Sequence, residues 1–210
     1  KTTLFSVISG FLRPSRGRLL FLGQPIETLG PHERCRKGMV RTWQIPRAFP
    51  SMTVRENVLV AAVAEHIGMS QARERADSVL VELGLSEWSG QSASELPPGQ
   101  RKRLELARAL VLRPRLLLLD EVMAGQTAAE ADDLFAVLQS RVREEGLSIV
   151  MIEHVIRAVR SLCSRVVVLA NGKVLSEGVP DEVMQRPEVM TAYLGATDQV
   201  TKKEQIHAAA

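Results

Sequence analysis

Apolar residues in this chain follow two rhythms, runs with a helical repeat and short unbroken runs, and their order sketches a fold. Leu4, Phe5, Val7 and Ile8 form an apolar-rich segment of helical character. Arg18–Gly23 reads as a strand between glycine turns, and Gly38–Gln44 as a second short strand leading to a loop. From Val54 to Leu112 the spacing turns helical: Val58, Val60, Ala61, Val63 and Ala64 recur, then Ala76, Val79, Leu80 and Leu83, with Gly84 as a stop. Pro98 suits a helix start because it has no N–H to lose there. Leu104, Ala107 and Leu110 or Val111 then share one face until Pro114 ends the run.

Leu116–Leu119 is an all-apolar run, as expected of a strand buried on both faces of a parallel sheet. Thr127, with Glu130 three residues on, is an N-cap for a helix through Leu134, Val137, Leu138 and Val142 to Gly146. Ser148–Ile152 and Val166–Ala170 are further apolar strands, with a helix over Ile156–Leu162 between them. Asn171-Gly172 before Lys173-Val174-Leu175 predicts a hairpin, since both central residues of that turn need positive φ. The alternation is that of an α/β domain with an antiparallel addition, and the helical stretch reads as an inserted subdomain.

At 45% hydrophobic and 24% charged over 210 residues, the composition is globular and suits one domain with a subdomain. No apolar run is long enough to cross a bilayer, so any membrane role runs through a partner. The net charge of +3 hides an asymmetry, because residues 1–55 carry ten basic groups against Glu27 and Glu33. Those charges lack the interleaved aromatics of a base-stacking surface, which places nucleic-acid binding second. Cys35 and Cys163 have no C-x-x-C partner and no histidine at ligand spacing, which disfavours metal and disulfide roles.

The chemistry gathers where the leucine run delivers Asp120 and Glu121 to its carboxyl end, the end at which open α/β sheets bind ligands. Asp120 is suited to hold a magnesium ion and Glu121 to orient or deprotonate an attacking water. The helix led by Gly99 and Gln100 offers free backbone N–H groups to an anion. Arg101, Lys102 and Arg103 are unfavourable at that positive end unless a phosphate lies nearby. Lys1-Thr2 matches the last two required positions of the phosphate-binding pattern G-x-x-x-x-G-K-[ST].

Leu96–Leu110, followed by Arg113-Pro114-Arg115 and Leu116–Glu121, closely resembles the signature helix and Walker B strand of ATP-binding cassette (ABC) proteins. Val40-Arg41-Thr42-Trp43-Gln44-Ile45-Pro46-Arg47, Asp120–Gly125, Ile152-Glu153-His154 and Ala192-Tyr193-Leu194-Gly195 look like the ATPase subunits of branched-chain amino-acid uptake transporters. The resemblance covers about residues 1–195 and implies a P-loop NTPase (RecA-like) α/β core. It also implies a helical subdomain near 54–112, an antiparallel β addition and a polar tail over 196–210.

What the resemblance implies for the site is ATP with Mg²⁺. Lys1, Thr2 and Thr3 would meet phosphates, Thr2, Gln44 and Asp120 the metal, and Gly99 and Gln100 the γ-phosphate held by a second ABC ATPase subunit. Glu121, His154 and Gln44 are the catalytic set. Two transmembrane permease subunits on the cytoplasmic face of the inner membrane are the implied partners, with a periplasmic or extracellular solute-binding protein acting indirectly and no nucleic acid. The signature departs from the family at Pro97 and Pro98, and Ala124-Gly125-Gln126-Thr127 is a non-consensus D-loop. A soluble ABC ATPase acting on nucleic acid or ribosomes, and a nucleotide-binding regulatory module without turnover, are the alternatives. Because the sequence starts inside the phosphate-loop pattern, a further segment of about 40 residues is expected upstream, and this chain alone is expected to be inactive.

Overall fold

The computed structural model describes residues 1–192 apart from Gln44, Pro46 and Ala124. These residues form two compact units, Thr2–His154 and a second that joins Lys1 to the residues from Val155 on. The expected tail over 196–210 lies outside the described residues, as do Tyr193, Leu194 and Gly195.

The first unit opens with helix α1 (Thr2–Ile8), hairpin strands β1 (Leu20–Phe21) and β2 (Gln24–Pro25), helix α2 (Pro31–Arg36) and strand β3 (Met39–Arg41). The Arg18–Gly23 strand shrinks to two residues because Leu22 and Gly23 take positive φ, 51° and 74°, and turn the chain back on itself. Arg34, only 1% exposed, donates to the carbonyls of Val7, Ile8 and Ile26, and so caps α1 and ties it to the hairpin.

Helices α3 (Val54–Val63), α4 (Met69–Glu82) and α5 (Pro98–Leu110) follow. They pack on one another through residues such as Val58, Ala76, Leu80 and Leu106, each 2% exposed or less. Proline at the first turn starts α5 as expected, but the helix ends before Pro114, with Arg113 at φ 47° turning the chain toward the sheet. Strand β4 (Leu116–Asp120) lies between β3 and β5 (Ser148–Ile152) in a parallel sheet, with α6 (Ala128–Glu145) crossing over. The register pairs Arg41 with Leu118 and Asp120 with Ile152. Thr127 caps α6 with Glu130 in a reciprocal box, and Gly146 ends it at φ 68°. Phe5, Ile26, Met39 and Leu118 form the core beneath the sheet, with Ile152 packed against them.

The second unit holds α7 (Ile156–Leu162), the antiparallel strands β6 (Val166–Ala170) and β7 (Lys173–Gly178), and α8 (Pro180–Val183). Asn171 and Gly172, at φ 50° and 76°, make the expected hairpin turn.

Candidate active site

Strand β4 has a hydrogen-bonded neighbour on each side, so it carries Asp120 to a place where the residue is only 4% exposed. An unpaired carboxylate there would be costly, and β3 supplies the counter-charge. The Arg41 Nη2 lies 2.8 Å from Asp120 Oδ2, with both side chains at 5% exposure or less. Arg41 is itself held: its guanidinium lies over the Phe5 ring at 5.6 Å and the Trp43 ring at 4.7 Å, and donates to the Ser6 and Ser9 hydroxyls at 3.2 and 3.4 Å. Thr42 Oγ1 accepts the Asp120 backbone N–H at 3.3 Å.

Glu121 follows with φ 52°, a left-handed backbone for a residue with a Cβ, at a cost of about 1–3 kcal/mol. Its N–H donates to the Ile152 carbonyl at 3.0 Å, so pairing with β5 continues past Asp120. The Glu121 Oε1 stands 4.0 Å from His154 Nδ1, with the side chains 29% and 55% exposed. Lys102 of α5 donates to the Glu121 carbonyl at 3.3 Å. Burial pulls the Lys102 ammonium down from its usual range, against the opposing pull of Glu153 and Glu121. Glu153 accepts the Met123 N–H at 3.1 Å, while burial pushes its carboxyl up. Thr42, Trp43, Lys102, Glu105, Asp120, Glu121 and Val122 surround a cavity of about 10 Å³, room for one water.

The basic run at the start of α5 does not need a phosphate to offset it. Arg101 curls back onto the carbonyls of Leu96 and Ser94, both at 2.8 Å, and Arg103 donates to Leu83 and Glu130 carbonyls at 3.0 and 3.3 Å. The sequence pattern missed this because the acceptors come from other elements. Gly99 accepts from Gln126 Nε2 at 3.4 Å. The Oε1 atoms of Gln100 and Gln126 are buried without a hydrogen-bond partner among the described residues.

A clamp joins α5 to the loop after β3. Glu105, 7% exposed, accepts the backbone N–H of Arg47 at 3.3 Å. Arg108 donates to the Arg47 carbonyl at 2.6 Å and lies over the Phe49 ring. The fully buried Asn57 then pins Phe49 through both its N–H and its carbonyl, at 2.7 and 3.0 Å. Burial pushes the Glu105 carboxyl up, with Arg108 and the Arg47 N–H opposing.

Of the residues marked from sequence, Asp120, Glu121 and His154 come together at the ends of β4 and β5. Gly99 and Gln100 open α5, whose Lys102 reaches Glu121. Thr2 and Thr3 are exposed at the start of α1; Ser6 of that helix and Ser9 just after it hold Arg41. Lys1 groups with the second unit, and Gln44 lies outside the described residues. Arg41 and Glu105 were not marked; the available signal was a charge set among apolar residues of a buried strand or helix face. The oxygens of Asp120, Thr42 and Glu121 are hard donors, and the described residues hold no cluster of three or more His, Cys, Asp or Glu. That set fits Mg²⁺, which binds through one or two carboxylates plus phosphate oxygens and water rather than an all-protein cage.

A family model described as ABC transporter matches residues 1–124, and one described as branched-chain amino acid ATP-binding cassette transporter matches residues 173–199. The high-affinity branched-chain amino acid transport ATP-binding protein BraF of Pseudomonas aeruginosa is 37% identical, over 93% of this chain and 82% of that protein. The lipopolysaccharide export system ATP-binding protein LptB of Acidithiobacillus ferridurans is 35% identical, over 95% of this chain and 83% of that one. The ADP conformation of MJ1267, an ATP-binding cassette of an ABC transporter, superposes with a TM-score of 0.80 at 31% identity, over 93% of this chain and 83% of that one. The shared fold is the P-loop NTPase α/β core with its antiparallel addition. With more than half of its length matched by the family model and with relatives this similar along most of their length, the chain belongs to the ABC transporter family, in the company of its branched-chain amino-acid ATP-binding cassettes.

Proposed function

We propose that this chain hydrolyses ATP as the energy-coupling subunit of a membrane importer for branched-chain or related amino acids. The observation that carries this reading is the carboxylate pair at the end of β4, Asp120 buried and oriented, Glu121 turned outward on a left-handed backbone beside His154. Bound Mg²⁺ would supply positive charge to the transferring phosphoryl group. Asp120, with Thr2 and Gln44, would hold it, and Lys1, Thr2 and Thr3 would hold phosphate oxygens. Glu121 orients the attacking water and takes its proton, and His154, 4.0 Å from Glu121, would contact the γ-phosphate.

Helix α5 starts without a side-chain cap, which supports a second subunit approaching there, where Gly99 and Gln100 would face its nucleotide. Alone, the chain therefore turns over ATP slowly. We read residues 54–112 as the helical subdomain that meets two permease subunits on the cytoplasmic face of the membrane. Among the described residues no helix is long and apolar enough to cross a membrane, so attachment runs through those partners. The match over 173–199 and the identity to BraF favour amino acids over the lipopolysaccharide system of LptB. A cysteine placed at Phe49 should crosslink to a cytoplasmic loop of a permease subunit. Crosslinks to RNA or ribosomal protein alone would overturn the transporter reading.

A further inference from the structure

Arg41 is the least exposed cation in contact with the carboxylates of the site, and neither the motifs nor the reaction accounts for it. It is built in from five directions: Asp120 Oδ2 at 2.8 Å, the Ser6 and Ser9 hydroxyls, and the faces of Phe5 and Trp43. Trp43 in turn has a second guanidinium, that of Arg47, over its ring at 4.1 Å. Arg47 is the residue whose N–H and carbonyl are clamped by Glu105 and Arg108. A single chain of contacts therefore runs from the Asp120 carboxylate through Arg41 and Trp43 to the loop on α5.

We propose that Arg41 is a positioning residue for the metal site: it fixes Oδ2 of Asp120 so that Oδ1 is presented to a divalent cation, and it couples the carboxylate to the Trp43 loop. The proposal rests on the reading of Asp120 as a metal ligand. A carboxylate on a strand end can rotate about its last torsion, and the Arg41 Nη2 donor on Oδ2, itself held through Nη1 by Ser6 and Ser9, restricts that freedom. Hydrogen-bond partners of metal ligands typically account for 10–100-fold in metal affinity. The planar guanidinium can bond Asp120 and both serines while stacking on two rings, which a lysine ammonium cannot do.

The test compares the protein, in the transporter assembled with its permease subunits, with Arg41→Met and Arg41→Lys, each in a Trp88→Phe background that leaves Trp43 as the remaining tryptophan of the two in this chain. ATP affinity in EDTA is measured first, then Mn²⁺ affinity of the ATP-bound protein by electron paramagnetic resonance, and Trp43 fluorescence on adding Mg²⁺. Expected for Arg41→Met are unchanged ATP affinity in EDTA, Mn²⁺ binding weaker by about 10–100-fold, and loss of the Trp43 response even at saturating Mg²⁺. Arg41→Lys should fall between, and it carries the test if Arg41→Met does not fold. Equal or tighter Mn²⁺ binding by the folded variants would overturn the proposal, tighter binding meaning that Arg41 competes with the metal instead. No ATP binding by the unsubstituted protein in the transporter assembled with its permease subunits would overturn the nucleotide reading itself, a result separate from any effect of Arg41.

Discussion

Strands β4 and β5 are both five residues long, both apolar, and both run straight into an acidic residue, yet their surroundings differ. Leu117, Leu118 and Leu119 of β4 are all 0% exposed, whereas Val150 of β5 is 43% exposed. The cause is the number of neighbours, since β4 pairs on both sides and β5 is paired only with β4 among the described residues. An apolar run announces a strand, and the strand's position in the sheet decides how much of it is buried. The two ends follow suit. Asp120 is buried and must be ion-paired, while the His154 side chain is more than half exposed.

Substitutions can break this contrast, and the largest effect falls at its most buried point. Asp120→Ala strands the Arg41 charge and should cost about 3–5 kcal/mol in denaturant unfolding, while Glu121→Ala should cost under about 1. Equal losses would mean that the two carboxylates are not differently housed. Within the strands, Leu118→Ala should cost about 2–5 kcal/mol and Val150→Ala about 1 or less. A costly Val150→Ala would show that β5 is covered in solution.

Thr127→Ala, which removes the cap of the helix linking the two strands, should cost about 1 kcal/mol. The smallest effect is on pH dependence. Burial raises the Glu105 pKa above its ordinary 4.5, so the folded state holds that proton more tightly than the unfolded chain. Its contribution is fully present below 4.5 and is lost as pH rises through the folded value. Glu105→Gln should therefore flatten the fall in stability above 4.5, read as the difference between the two proteins' pH profiles. An unchanged slope would place the titration elsewhere, for which Glu153 is the next group raised by burial.

The features legible from sequence are those whose cause is local. The box of Thr127 and Glu130, the left-handed stop at Gly146, the Asn171-Gly172 turn and the proline start of α5 each depend on residues within four positions of one another. The buried β4 was legible for the same reason, as four leucines in a row. What the sequence hid is long-range: Arg41 and Asp120 are 79 positions apart, and the Arg47 N–H that Glu105 accepts is 58 positions away. The short α2 and the two-residue β2 were too brief for periodicity to register. The identity of Asp120, Glu121 and His154 as a group came through motif resemblance, and their geometry required the sheet.

The central claim is that Glu121, turned out of β4 on a strained backbone, activates water while Asp120 stays fixed behind it. Glu121→Gln keeps the shape of the side chain and removes its basicity. In the transporter assembled with its permease subunits, this variant should bind ATP as tightly as the unsubstituted protein and lose turnover by about 10²–10⁴-fold, leaving ATP trapped between paired subunits. Turnover at the unsubstituted rate with ATP binding intact would contradict the account.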